Sequence, residues 1–169
     1  MDVIGIDPGQ TGYIVELNSA TSEARTLPIP FRPDGIVCYR TIKSYFDLKE
    51  IDLMILERVT MQPKFSAVAA HTFGKCIGQL QMLLSAFPFS EVSSRTWQKV
   101  MHLGFPDSWG PKEKSMGAFQ RLNPNFKAGK KKVSKDLVDA FLIAAYGLKV
   151  SGVNININWV FHDLSSVDK

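Results

Sequence analysis

Val3-Ile4-Gly5-Ile6-Asp7, followed by Pro8-Gly9-Gln10-Thr11-Gly12 and then Tyr13-Ile14-Val15-Glu16-Leu17, is the stretch on which the reading of this chain turns. The first apolar run ends on a carboxylate and reads as a strand. Pro8, Gly9 and Gly12 punctuate a tight turn, and the second apolar run reads as a strand hairpinned to the first. Gly5, Gly9 and Gly12 do not make a GxGxxG dinucleotide fingerprint, and all three are expected to serve that strand-to-strand turn. A third strand over roughly Glu23 to Leu27, after Asn18 and Ser19, extends the pair into an antiparallel meander.

Working outward, Leu27-Pro28-Ile29-Pro30 and Pro33-Asp34-Gly35 read as loop, and Ile36 to Phe46 as a helix. That helix crosses to a fourth strand, Ile51 to Glu57, which a right-handed connection sets parallel to the first. From Pro63 to Phe87 the residues Phe65, Val68, Ala69, Phe73, Ile77, Leu80, Leu83 and Leu84 recur at helical spacing, which predicts a long helix packed on the sheet. Pro88 stops it, and Phe89 to Val92 reads as a fifth strand. Ser93 or Ser94 caps a helix through about His102, and Pro111 opens another that ends near Asn123. The last helix is predicted from Ser134 to Lys149, with Leu137, Phe141, Ala144, Ala145 and Leu148 on its apolar side. The reading is thus α/β, with a mixed sheet flanked by helices over residues 1–150. Residues 151–169 form a C-terminal tail without an assigned role, in which Val153 to Trp159 alternates like an edge strand.

At 169 residues, with 45% hydrophobic and 21% charged residues, the chain is expected to be one globular domain. Cys38 and Cys76 have no partner spacing and read as reduced, half-buried thiols. No apolar run is long enough to span a membrane, and with the first strand beginning almost at Met1 no signal peptide is expected. The expected location is the cytoplasm of a bacterial or phage-infected cell. The net charge of +4 is unevenly spread: Arg95 to Lys135 holds ten basic residues against two acidic ones, Asp107 and Glu113. Lys130-Lys131-Lys132 alone would pass for a solvated loop, but the block runs straight into an acidic helix start, where a polyanion is the partner that calls for cations.

Four carboxylates stand out in apolar surroundings: Asp7 and Glu57 at strand ends, and Asp136 and Asp139 at i and i+3 on one helix face. Burying unpaired carboxylates is costly, and four of them converging would demand a cation. All-oxygen ligation suits Mg2+ or Mn2+ rather than zinc. Ligands of open α/β sheets sit at strand ends of this kind.

The run Ile4-Gly5-Ile6-Asp7-Pro8-Gly9, Thr11-Gly12-Tyr13, Leu56-Glu57, Lys112-Glu113-Lys114-Ser115 and Asp136-Leu137-Val138-Asp139-Ala140 resembles, in order and spacing, a RuvC-type Holliday junction resolvase of the RNase H-like superfamily. The resemblance spans Val3 to Gly147. It implies an RNase H-like fold with a five-stranded mixed sheet, a homodimer, and two divalent cations per site held by Asp7, Glu57, Asp136 and Asp139. It also implies paired nicks on two like strands of a four-way junction, through two-metal hydrolysis. Arg58, Lys112, Lys114, Lys130, Lys131, Lys132 and Lys135 become candidates for DNA phosphate contacts, Lys135 most directly because it adjoins Asp136. The Asp7-to-Gly12 turn is shorter than in typical bacterial members and resembles the phage and organellar branches. Arg58-Val59-Thr60-Met61 stands where bacterial members carry a stacking aromatic, leaving Met61 or Phe65 as a substitute wedge, although Phe65 also falls on the helical apolar stripe.

His71, His102 and His162 lack metal-ligand spacing. Trp97 reads as core packing, and Trp109, in the basic region, is open between packing and base stacking. A strand, an Asp and a glycine turn also open the actin-like ATPases, but a second lobe to close on a nucleotide is missing, and no nucleotide cofactor is expected. Two alternatives share the resolvase fold: a nuclease for flaps, forks or other branched DNA, and a branched-DNA binder that does not cut.

Overall fold

The computed structural model describes residues 1–48, 50–59, 66–126 and 133–166; Met61, Phe65 and Lys130 to Lys132 lie outside them. Alternation of side chains along the first strand organises the molecule. Strands β1 (Asp2–Asp7), β2 (Tyr13–Asn18) and β3 (Glu23–Pro28) form the antiparallel meander, with Gly5 opposite Val15 and Asp7 opposite Tyr13. Helix α1 (Tyr39–Tyr45) leads to β4 (Leu53–Arg58), which lies parallel to β1. Helix α2 (Ala67–Leu84) leads to β5 (Phe89–Ser93), parallel to β4. Helices α3 (Ser94–Met101), α4 (Pro111–Leu122) and α5 (Lys135–Val150) follow, and β6 (Val160–Asp163) pairs parallel with β3.

The sheet order is β5-β4-β1-β2-β3-β6, six strands where five were expected. The added strand comes from the tail, one residue after the alternating segment that suggested it. Residues 153–159 are instead fixed by side chains: Asn156 Nδ2 donates to the Ser19 carbonyl at 2.7 Å and Trp159 N donates to Asn123 Oδ1 at 3.2 Å. Trp159 is buried, and Phe161 on β6 meets the rings of Phe126 and Phe141 at 4.7 and 5.6 Å.

Period-two alternation sends Val3, Val15, Leu17 and Ile55 into one core with α3, α4 and α5. Ile4, Ile6, Ile14, Met54 and Leu56 enter a second core, with α1 and α2, on the other side of the sheet. Helix α5 is the central one: Ala140 through Ala145 are all fully buried. Gly5 explains how close α5 comes. A Cβ there would lie 2.3 Å from the Ala140 carbonyl oxygen, so its role is close approach of helix to strand and not the turn. Gly9 and Gly12 do serve the turn, Gly9 at φ 149° and Gly12 donating its N–H to the Gly9 carbonyl at 3.1 Å.

Helix α2 departs from its expected packing. Only Cys76, Leu80 and Leu84 are buried along it, while Val68 and Met82 are 77% and 82% exposed. Its apolar residues exceed what one face of the sheet covers. Cys76 is buried and Cys38 partly so, both as free thiols. Among the described residues no helix is long and apolar enough to cross a membrane.

Candidate active site

Asp7 and Glu57 reach the same place by register. Ile6 pairs with Leu56, so the next residue on each parallel strand is a carboxylate, and alternation turns both toward α5. Close packing of α5 on Gly5 then brings Asp136 and Asp139, in its first turns, over the strand ends. The other three acids all act electrostatically on Asp7.

Burial dominates the charge states. It pushes Asp7 up to about 9, with the negative charges of Glu57, Asp139 and Asp136 and a hydrogen bond to Glu57 adding to it. Burial also raises Glu57, opposed by hydrogen bonds from Trp97 and Asp7. That hydrogen bond raises one partner and lowers the other, so the pair shares a proton carried by Asp7. Asp139 is raised to about 6 by burial; the Ser115 hydroxyl opposes the shift, Glu57 and Asp136 add to it, and Lys112 offsets a little.

Two helices hold these carboxylates from behind. Trp97 of α3, 1% exposed, donates Nε1–H to Glu57 Oε1 at 3.1 Å. Ser115 of α4, also buried, bonds Asp139 and stands 3.1 Å from His102 Nε2. Burial, with Lys114 adding, lowers His102 and favours its neutral form. Sequence reading missed Glu57's partner, because Trp97 was assigned to packing alone. The signal was available: a buried indole needs an acceptor for its N–H. For Ser115 and His102 no such signal existed, since their meeting depends on how α3 and α4 pack.

The basic candidates divide. Arg58 is exposed at the end of β4, and Lys135 is exposed as the first residue of α5. Lys112 is exposed and close enough to bear on Asp139. Lys114 turns instead toward Asp107, at 4.0 Å, and is only partly exposed.

The donor set fits an oxygen-seeking divalent cation by its chemistry: four carboxylates, two of them held above their ordinary range by burial and mutual repulsion. As placed, no three acidic, cysteine or histidine side chains among the described residues converge tightly enough to ligate one ion.

No protein-family model matches the sequence, and no curated protein matches it significantly. Solved structures do match. Thermus thermophilus RuvC superposes with TM-score 0.58 at 15% identity, covering 89% of this chain and 97% of that one. The fold is that of RuvC. The structure described as T. thermophilus RuvC in complex with Holliday junction substrate matches with TM-score 0.56 at 15% identity, over 89% and 96% of the two chains. The yeast mitochondrial Holliday junction resolvase Ydc2 matches at TM-score 0.49 and 14% identity, over 89% and 78%. This is the mixed sheet flanked by helices that the resemblance implied, with β6 as an added edge strand.

Proposed function

We propose that this chain is a divalent-metal-dependent DNA endonuclease that resolves Holliday junctions as a homodimer. The observation that supports the proposal is that Glu57, Asp136 and Asp139, from one strand and one helix, all act electrostatically on Asp7 at the end of a RuvC-fold sheet, with Asp7, Glu57 and Asp139 raised by burial. Such a cluster is costly without a partner of opposite charge. The RuvC structure holding a Holliday junction substrate supplies the substrate class.

Asp7 and Glu57 would hold the cation between the strand ends, giving up their shared proton, and Asp139 and Asp136 would complete the ligands from α5. When bound, a pair of Mg2+ or Mn2+ ions supplies an activated water and stabilises the leaving oxygen in an in-line displacement. Trp97 orients Glu57 and favours its ionised form, against burial, by donating to its carboxylate. Ser115 does the same for Asp139. Lys112 and Lys135 place positive charge beside the acids, where the scissile strand's phosphates would lie. Lys130, Lys131 and Lys132 belong to the same proposed phosphate-binding set, with Arg58 and Lys114.

The test is incubation of purified protein with a labelled immobile four-way junction, a flap and a linear duplex, in EDTA, Mg2+ or Mn2+. Symmetric paired nicks on the junction with metal only are expected, and Asn or Gln at any of the four acids should abolish them while junction binding persists. Preferential flap cutting would replace the substrate; binding without cutting under any metal would leave a branched-DNA binder.

A further inference from the structure

Beside the carboxylates, α4 and the start of α5 border an open groove of about 560 Å3, lined by Trp109, Lys112, Met116, Gly117 and Lys135 among others. Trp109 leaves 42% of its surface exposed there. It is nevertheless firmly placed. Its ring stacks on Phe105 at 5.6 Å with 24° between planes, and the Arg121 guanidinium lies 4.6 Å from the Phe105 ring centre. Arg121 is itself fixed by the Leu103 and Met101 carbonyls at 3.0 and 3.1 Å. Trp109 N donates to the Pro106 carbonyl at 3.1 Å, which closes the loop beneath the ring.

Gly117 gives an independent sign that this aromatic stack is built rather than incidental. A glycine inside a helix costs about 1 kcal/mol against alanine. A Cβ at Gly117 would lie 2.7 Å from Phe105 Cε1 and 3.0 Å from Trp109 Cζ3, so the missing side chain is the space the stack occupies. The stack accounts for the helix glycine, while the exposed indole is unfavourable for an isolated fold and a ligand on it would account for its exposure.

The chemistry of that ligand follows from the groove's other lining. Lys112 and Lys135 bring positive charge to it, and Glu113, the one carboxylate that lines it among the described residues, is engaged by Gly110 N at 2.8 Å. A flat aromatic face between cations suits a nucleotide, base on the ring and phosphates on the ammonium groups. We propose that Trp109 is a stacking shelf for an unpaired nucleobase of the branched DNA, beside the cleavage site, with Lys112 and Lys135 holding the phosphates that flank it. The shelf rests on the nuclease reading above.

The chain has three tryptophans, and Trp97 and Trp159 are 1% and 5% exposed, so DNA-dependent emission changes report mainly on Trp109. The experiment titrates an immobile four-way junction into the whole protein in EDTA, following indole emission and the dissociation constant for wild type, Trp109→Phe, Trp109→Ala and Gly117→Ala. Quenching in wild type is expected, with near-normal affinity in Trp109→Phe and binding weaker by about tenfold in Trp109→Ala. Gly117→Ala should weaken binding through displacement of the stack while its melting temperature does not fall. Junction binding by wild type with unchanged affinity in Trp109→Ala overturns the shelf and leaves the nuclease reading standing. Absence of any branched-DNA binding by wild type overturns that reading, and the shelf with it.

Discussion

Asp7 holds a proton that an exposed aspartate would release. Its ordinary value is 3.8, and burial followed by the repulsion of its carboxylate neighbours lifts it to about 9. Between those values the folded chain binds a proton that the unfolded chain does not. The resulting stability is present in full below the ordinary value and is lost as pH rises through the folded one. Asp139, raised to about 6, adds the same sign over a narrower window. Metal-free protein should therefore melt lower at alkaline than at mildly acidic pH. Asp7→Asn should flatten that dependence, raising the melting temperature near about pH 8.5 by on the order of 5 °C while abolishing cutting. Calorimetry in EDTA across the range checks this, and an undiminished slope in the variant would assign the dependence elsewhere. Glu57 gives a second residue-level case. The indole N–H of Trp97 stabilises its charged form, and Trp97→Phe keeps the buried ring but removes the donor. Half-saturation with Mn2+ at fixed concentration should then require a higher pH, measurable by calorimetric titration without any cutting assay. An unmoved titration would return Trp97 to a packing role.

At the scale of elements, the contact between α5 and β1 decides where the acids meet. Ala140 and Ala144 backbone atoms occupy the place of a Gly5 side chain, so any larger residue must push α5 away from the strand. Gly5→Val should destabilise by about 1–3 kcal/mol in denaturant unfolding, as overpacking does. It should also lower metal affinity, because Asp136 and Asp139 ride on the displaced helix; a stable variant with unchanged Mn2+ binding would contradict this account. The same contact marks what the sequence could disclose. Strand ends carrying Asp7 and Glu57, the parallel crossover, and the i, i+3 pair on α5 were legible because period-two and helical patterns are local. Gly5 was misassigned to the turn because close approach belongs to two elements that the sequence separates by more than a hundred residues. The tail's edge strand was read several residues early for a related reason: β6 pairs with β3 beside the buried Trp159 and the aromatic contacts of Phe161, and not by the alternation of residues 153–159. Ser115 and His102 came together only through the packing of α3 against α4.

For the whole molecule, the proposed resolvase activity requires one site per chain to serve a junction that is cut twice. A four-way junction is nearly two-fold symmetric, and an isologous dimer would present two equivalent sites to it. Helix α2 supplies the surface that favours this arrangement. It lies on the face of the sheet away from α5, so a partner there leaves the acids open to DNA. Its Val68 and Met82 stay exposed although the helix is long enough to bury more, and Val37, Tyr39, Leu83 and Phe87 continue the apolar lining around Met82. A second copy packed against that face would cover apolar surface that the monomer leaves in water, which is the usual driving force for a stable interface. Met82→Glu should therefore shift the protein from dimer to monomer in light-scattering chromatography at micromolar concentration, with little loss of melting temperature beyond that due to dissociation. On a junction the monomer should leave single nicks where wild type leaves pairs, because the carboxylate site itself is untouched. A variant that remains dimeric and still pairs its nicks would place the interface on another face.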